Sequence, residues 1–226
     1  MNVESMRSIE QRAEVFAALG DPVRLRIVEQ LATSDGLPSD LARDLGIGSN
    51  LVAHHLNVLV GCGLVRRLRS EGDRRRTYLQ LVPDAVPTLA RRTVEVPARV
   101  LFVCTANTAR SQLATLLWRA LSDIPAASAG THPAAAVDPR AIVAAERHGL
   151  RLARRTRPRD LGEVQQPGDL LITVCDRAHE ELADPAAPHW SVPDPVPAGS
   201  KHAFEAAIRD LDHRVHGLAE SLSTAS

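Results

Sequence analysis

The chain has 226 residues, 44% of them hydrophobic, with 27 basic and 27 acidic side chains that cancel to a formal net charge of zero. That length suits two compact domains, each able to bury a core, and the composition is not that of a disordered or low-complexity chain. No run approaches the roughly 20 apolar residues of a membrane helix, Met1 to Glu10 lacks the apolar segment of a secretory leader, and three widely spaced cysteines (Cys62, Cys104, Cys175) do not make a disulfide framework. The expectation is a cytoplasmic protein with no membrane partner.

From Asp21 the sequence reads as short amphipathic helices. Asp21-Pro22 caps and starts one whose apolar face is Leu25, Ile27, Val28 and Leu31; Pro38 to Leu45 is a second, stopped by Gly46. Gly48-Ser49-Asn50 offers an N-cap for a third, in which Val52, His55, Leu56 and Leu59 share one stripe. Its other face is small and polar. Two short helices joined by a tight turn form a helix-turn-helix, which predicts that Ser49, Asn50, Ala53, His54 and Asn57 face the DNA major groove.

Gly61-Cys62-Gly63 ends the third helix, and the strands Leu64 to Leu68 and Arg75 to Val82, turning at Ser70-Glu71-Gly72-Asp73, read as a hairpin. This is the wing. Six arginines, among them Arg74, Arg75 and Arg76, face only Glu71 and Asp73 there, so a neutral chain carries a locally positive tip suited to phosphate contact. The alternative is a solvated arginine-rich hairpin. Cys62 alone cannot supply a soft-metal site, and the adjacent His54 and His55 point about 100° apart on a helix, so no metal is expected.

Pro83, Pro87 and Pro97 interrupt regular structure, although Thr88 to Arg92 can make a short connecting helix. The predicted organisation is a DNA-binding domain over residues 1–82, a linker over 83–98 and a second domain over 99–226.

In that second domain Arg99 to Val103 is a buried-strand run and Gln112 to Leu121 has helical periodicity. Between them lies Cys104-Thr105-Ala106-Asn107-Thr108-Ala109-Arg110-Ser111. A thiol at a strand end, followed by a tight loop into a helix start, gathers backbone N–H groups around one point, as a tetrahedral oxyanion requires. The same field favours a thiolate at Cys104. Arg110 can grip two anion oxygens, Asn107 tolerates positive φ, and the Ser111 hydroxyl is placed to bond the sulfur. Downstream, Asp169 to Cys175 reads as a second buried strand ending in a thiol. Asp194, flanked by Pro193 and Pro195, sits in a rigid loop able to hold an acid over the anion.

Two resemblances follow from these residues. Val23 to Val28, His54-His55-Leu56-Asn57-Val58-Leu59 and Gly63-Leu64-Val65 resemble the ArsR-type winged-helix repressors, which implies a dimer bound to an inverted-repeat operator. The stretch where metalloid-sensing members carry paired cysteines reads Leu37 to Ala42 here, without a thiol. Val100 to Ser111, Ser128-Ala129-Gly130-Thr131, the Cys175 strand and Asp194-Pro195 resemble the low-molecular-weight protein tyrosine phosphatases and, within them, the thiol-dependent arsenate reductases.

The second resemblance implies a four-stranded parallel sheet flanked by helices, with Cys104 as nucleophile, Arg110 as anion clamp, Asp194 as general acid and Cys175 as resolving thiol. It implies no bound cofactor. An external reductant, thioredoxin or a low-molecular-weight thiol, would close the cycle, because Leu182 stands where thioredoxin-coupled members carry a further cysteine. Arsenate or phosphate is the expected oxyanion. The open alternatives are a phosphatase and a repressor that senses the oxyanion without turning it over.

Overall fold

The computed structural model describes residues 9–82, 96–153, 155–184 and 186–223; the predicted linker helix at Thr88 to Arg92 lies outside them. The chain divides into two compact units. One comprises Met1–Arg69 with Arg76–Arg91, and the other Ser70–Arg75 with Arg92–Ser226. Among the described residues no helix is long and apolar enough to cross a membrane.

The first unit holds α1 (Ile9–Leu19), α2 (Pro22–Leu31), α3 (Pro38–Leu45), α4 (Ser49–Gly61) and the antiparallel strands β1 (Val65–Arg69) and β2 (Thr77–Leu81). Asp21 caps α2 as expected, its carboxylate accepting the N–H groups of Val23 and Arg24 at 2.9 and 3.0 Å. Gly46 ends α3 in the left-handed conformation at φ 66°. The cap of α4 differs from the expectation: Gly48 occupies it without a side-chain bond, and Ser49 is already helical. Ile27, Val28, Leu31, Leu41, Val52, Leu56 and Leu59 close one core over Leu64 and Leu79.

The second unit is built on β3 (Arg99–Cys104), β4 (Ala126–Gly130) and β5 (Asp169–Thr173), in the order β4-β3-β5 with every pairing parallel. Around them lie α5 (Arg110–Leu121), α6 (Pro139–Arg147), α7 (Leu161–Val164), α8 (Asp176–Leu182), α9 (Pro195–Ala198) and α10 (Lys201–Ser223). From Val100 to Cys104 every β3 side chain is buried, because β3 is the central strand and is covered on both faces. Phe102 packs between Trp118 and Trp190, with ring centroids 6.3 and 5.7 Å away, and α10 lies along α5 and α6.

The sheet has three strands, not the four expected. Residues 188–190 run parallel beside β5, but the pairing is a single bridge between Thr173 and His189. Thr173 donates to the Pro188 carbonyl at 3.0 Å and Trp190 to the Thr173 carbonyl at 2.8 Å. Pro188 has no N–H with which to extend the ladder one way, and Pro193 follows within a few residues on the other side.

Arg99 and Asp169 tie the starts of β3 and β5 together through a bidentate pair at 2.8 and 2.7 Å. The Arg99 hydrogen bonds hold the Asp169 carboxyl below its ordinary range against the opposing effect of burial. A depressed carboxylate contributes stability that is present above its unfolded pKa, about 3.9, and lost as pH falls through the lower folded value. Asp169→Asn should therefore cost about 1–2 kcal/mol near neutral pH, since Arg99 remains partly exposed. It should also flatten the acid limb of a thermal-unfolding series; an acid limb as steep as that of the wild type would remove this pair as its cause.

Candidate functional site

The loop Thr105 to Ala109 springs from the C-terminal end of the central strand, and α5 begins at Arg110, two residues earlier than the periodicity suggests. Its shape is set from outside. The carbonyls of Cys104, Thr105, Ala106 and Thr108 accept the N–H groups of Thr131, His132, Ala134 and Asp138 at 2.8–3.2 Å. A peptide whose carbonyl faces outward turns its N–H the other way. Thr105 and Asn107 thus donate inward, to the sulfurs of Cys175 and Cys104 respectively, both at 3.2 Å.

Gly130 at the end of β4 makes room for this loop: a Cβ there would meet the Thr105 carbonyl oxygen at 2.6 Å. Asn107 takes φ 54° as expected. Its side-chain oxygen accepts Gln112 Nε2 and the Arg159 N–H, both at 3.0 Å, which fixes the amide so that Nδ2 donates to Ser111 Oγ at 2.8 Å. The Ser111 proton is then free to point at Cys104 Sγ, 3.0 Å away. Thr115, next on this helix face, bonds the Ser111 and Ala127 carbonyls.

Arg110 is 8% exposed. It donates through Nη1 to the Val192 carbonyl at 2.9 Å and to Glu71 Oε2 at 3.1 Å, and through Nη2 to Asp194 Oδ2 at 2.9 Å. Burial would lower its pKa, but the negative groups at Cys175, Asp194, Cys104 and Glu71 outweigh that and raise it. Asp194 caps the short helix α9 with its other oxygen, accepting from Val196 at 3.1 Å. Cys104, Arg110, Cys175, Asp194 and Glu71 border one cavity of about 230 Å³.

Cys175 lies two residues past the end of β5 at Thr173, in extended backbone, and serves as the N-cap of α8. Burial pushes its thiol pKa up, with Arg110 opposing and the neighbouring Cys104 adding to the rise. Leu182 is a partly buried packing residue against the core.

Sequence reasoning missed a buried network beneath the cavity. His189, fully buried, is bonded through Nε2 to Asp176 Oδ1 at 3.0 Å and through Nδ1 to Thr173 Oγ1 at 2.9 Å, and stacks on His179 at 4.2 Å. Burial raises the Asp176 pKa, yet hydrogen bonds from His189, Ser191 and the Glu71 N–H hold it below the ordinary range.

In the first unit Ser49, Asn50, Ala53, His54 and Asn57 all lie exposed on α4, opposite the buried Val52, His55, Leu56 and Leu59. Arg67 Nη2 donates to Asn57 Oδ1 at 2.9 Å. Arg76 is exposed, as are Arg74 and Arg75 of the other unit. No cluster of three or more metal-ligating side chains occurs among the described residues.

A family model described as "Low molecular weight phosphotyrosine protein phosphatase" matches residues 99–226, and one described as "Bacterial regulatory protein, arsR family" matches residues 21–67. A "Transcriptional repressor SmtB homolog" from Synechocystis sp. is 33% identical over 93 residues, 41% of this chain and 68% of that protein. Among solved structures, a tyrosine phosphatase of Erwinia amylovora is 24% identical with a TM-score of 0.49, over 56% of this chain and 94% of that one. An arsenate reductase of Archaeoglobus fulgidus is 28% identical with a TM-score of 0.45, over 54% and 98%.

If positive φ at position 107 stores strain that asparagine tolerates, Asn107→Ala should destabilise the protein by about 2–3 kcal/mol through strain and lost hydrogen bonds. Asn107→Gly loses the same bonds without the steric penalty and should be the more stable of the two in urea unfolding. Equal losses would assign the whole cost to the bonds.

Proposed function

We propose that this chain, which belongs to the low molecular weight phosphotyrosine protein phosphatase family and carries an arsR-family DNA-binding region ahead of that enzyme domain, is a transcriptional regulator fused to a cysteine-dependent arsenate reductase. The observation that carries the choice of arsenate is the second thiol. Hydrolysis of a phosphate ester needs one nucleophile, whereas reduction of arsenate needs two electrons, and Cys104 and Cys175 border the same cavity. The described lining of that cavity also offers no aromatic side chain to clasp a phenol ring, and Tyr78 is buried elsewhere.

The chemistry balances as follows. Cys104 Sγ attacks arsenic while Arg110 holds two of its oxygens, and Asp194, protonated at a carboxyl oxygen, delivers that proton to an arsenic-bound hydroxyl, which leaves as water as the arsenic–oxygen bond breaks. Cys175 Sγ then attacks Cys104 Sγ. The S–S bond forms, the sulfur–arsenic pair passes to arsenic, and arsenite departs with arsenic reduced by two electrons. An external thiol, thioredoxin or a small one, reduces the Cys104–Cys175 disulfide. Leu182 in place of a further cysteine makes this pair the species the reductant meets.

The regulator reading rests on the exposed polar face of α4 and on the arginines at 74–76. In it a homodimer reads an inverted-repeat operator, in the cytoplasm, where thiols stay reduced. A second reading, an oxyanion sensor without turnover, is favoured by the Glu71 carboxylate on Arg110.

Arsenite release in the presence of a thiol reductant should fall at least about a thousandfold in Cys104→Ser. Cys175→Ser should stop arsenite turnover while leaving aryl phosphate hydrolysis within a few-fold of wild type. Arsenite release at the wild-type rate in Cys175→Ser would end the two-thiol scheme, and aryl phosphate hydrolysis with no arsenite under any reductant would make the protein a phosphatase.

Replacing Arg74, Arg75 and Arg76 together should weaken binding to all DNA sequences and reduce the slope of log affinity against log salt by up to about 2.7. Asn50→Ala or His54→Ala should instead change sequence preference. A triple variant with the wild-type salt slope would remove these arginines from the interface.

A further inference from the structure

Within the second unit the segment Ser70–Arg75 carries a carboxylate into the mouth of the anion cavity. Glu71 Oε2 accepts from Arg110 Nη1 at 3.1 Å, and both Glu71 oxygens accept the Asp194 N–H, at 2.9 and 3.0 Å. The segment is held at several points. The Glu71 N–H donates to Asp176 Oδ2 at 2.7 Å, and Glu180 receives Ser70 Oγ at 2.7 Å and the Asp73 N–H at 2.6 Å. Gly72 lets it lie this close: a Cβ there would run into the Glu180 carboxylate and stand 3.2 Å from the Arg177 Cα.

The charge arrangement makes this carboxylate a rival of any bound oxyanion. Arg110 faces the carboxylates of Asp194 and Glu71; in the proposed reaction Asp194 carries a proton, so Glu71 is the negative charge that stands against a bound dianion. Asp194 is fixed by its cap of α9 and by its place in the proline-flanked loop. Each carboxylate touches Arg110 through one nitrogen, but the Glu71 side chain is the more exposed, 43% against 32% for Asp194, so it is the group able to withdraw.

We propose that Glu71 is a built-in competitor for the oxyanion site, seated on Arg110 when the site is empty and displaced when a tetrahedral dianion such as arsenate or phosphate binds, so that the turn at 70–75 sets the affinity. The proposal rests on reading the cavity as an oxyanion site. Because the competitor is tethered, its effective concentration is high, and apparent affinity falls by the fraction of molecules in which the site is vacant.

The test is calorimetric titration of the reduced full-length protein with inorganic phosphate. Glu71→Gln should lower the phosphate Kd by about tenfold. Removing a negative charge would favour anions even without competition, so Gly72→Ala decides the matter: it keeps the charge but crowds the turn off Arg177, and should also tighten binding. Tightening in both variants supports the proposal. Tightening in Glu71→Gln alone, in neither variant, or weakening in either, overturns it. Absence of phosphate binding in the wild type and both variants would sink the oxyanion reading as well, which separates the two failures.

Discussion

A guanidinium that is nine-tenths buried persists only where negative charge or carbonyl oxygens surround it, and the second unit is organised around that requirement at Arg110. The Val192 carbonyl and two carboxylates supply the surroundings in this state. Holding such a cation ready for a ligand demands that the opposite wall of the cavity be rigid. The outward carbonyls of residues 104–108, the room left at Gly130 and the asparagine amide locked by Arg159 and Gln112 meet that demand.

The two thiols of the cavity are not equivalent, and their inequality gives the proposed reaction its order. Cys104 is met by the Asn107 N–H and faces the Ser111 hydroxyl. Cys175 is buried and held up in pKa, partly by negative charge at Cys104. In the proposed scheme Cys104 is therefore the first nucleophile and Cys175 the second.

The local parts of this architecture were legible in the sequence because local rules govern them. Asp21-Pro22, Gly46 and the stripe of Val52, His55, Leu56 and Leu59 define their helices through capping and periodicity, and a buried strand running into Cys104 through Ser111 announces the loop. The fourth strand fails where the family pattern meets prolines at 188 and 193, a backbone detail that the resemblance passes over. Glu71, Asp176 and His189 could not be placed because their partners are long-range: Glu71 meets groups 39 and 123 residues away in sequence. In composition Glu71 is merely one acid offsetting neighbouring arginines.

That same turn gives the competition a wider reach. Ser70–Arg75 joins β1 to β2, and next to Glu71 it carries Arg74 and Arg75, both exposed. If Glu71 competes as proposed, any polyanion that binds these arginines better with the turn withdrawn must raise oxyanion affinity, and the oxyanion must raise affinity for that polyanion by the same factor. A polyanion that prefers the seated turn produces the opposite sign with the same reciprocity. The direction is therefore set by which position of the turn a polyanion prefers, and its size is bounded by the free-energy difference between the seated and withdrawn turn.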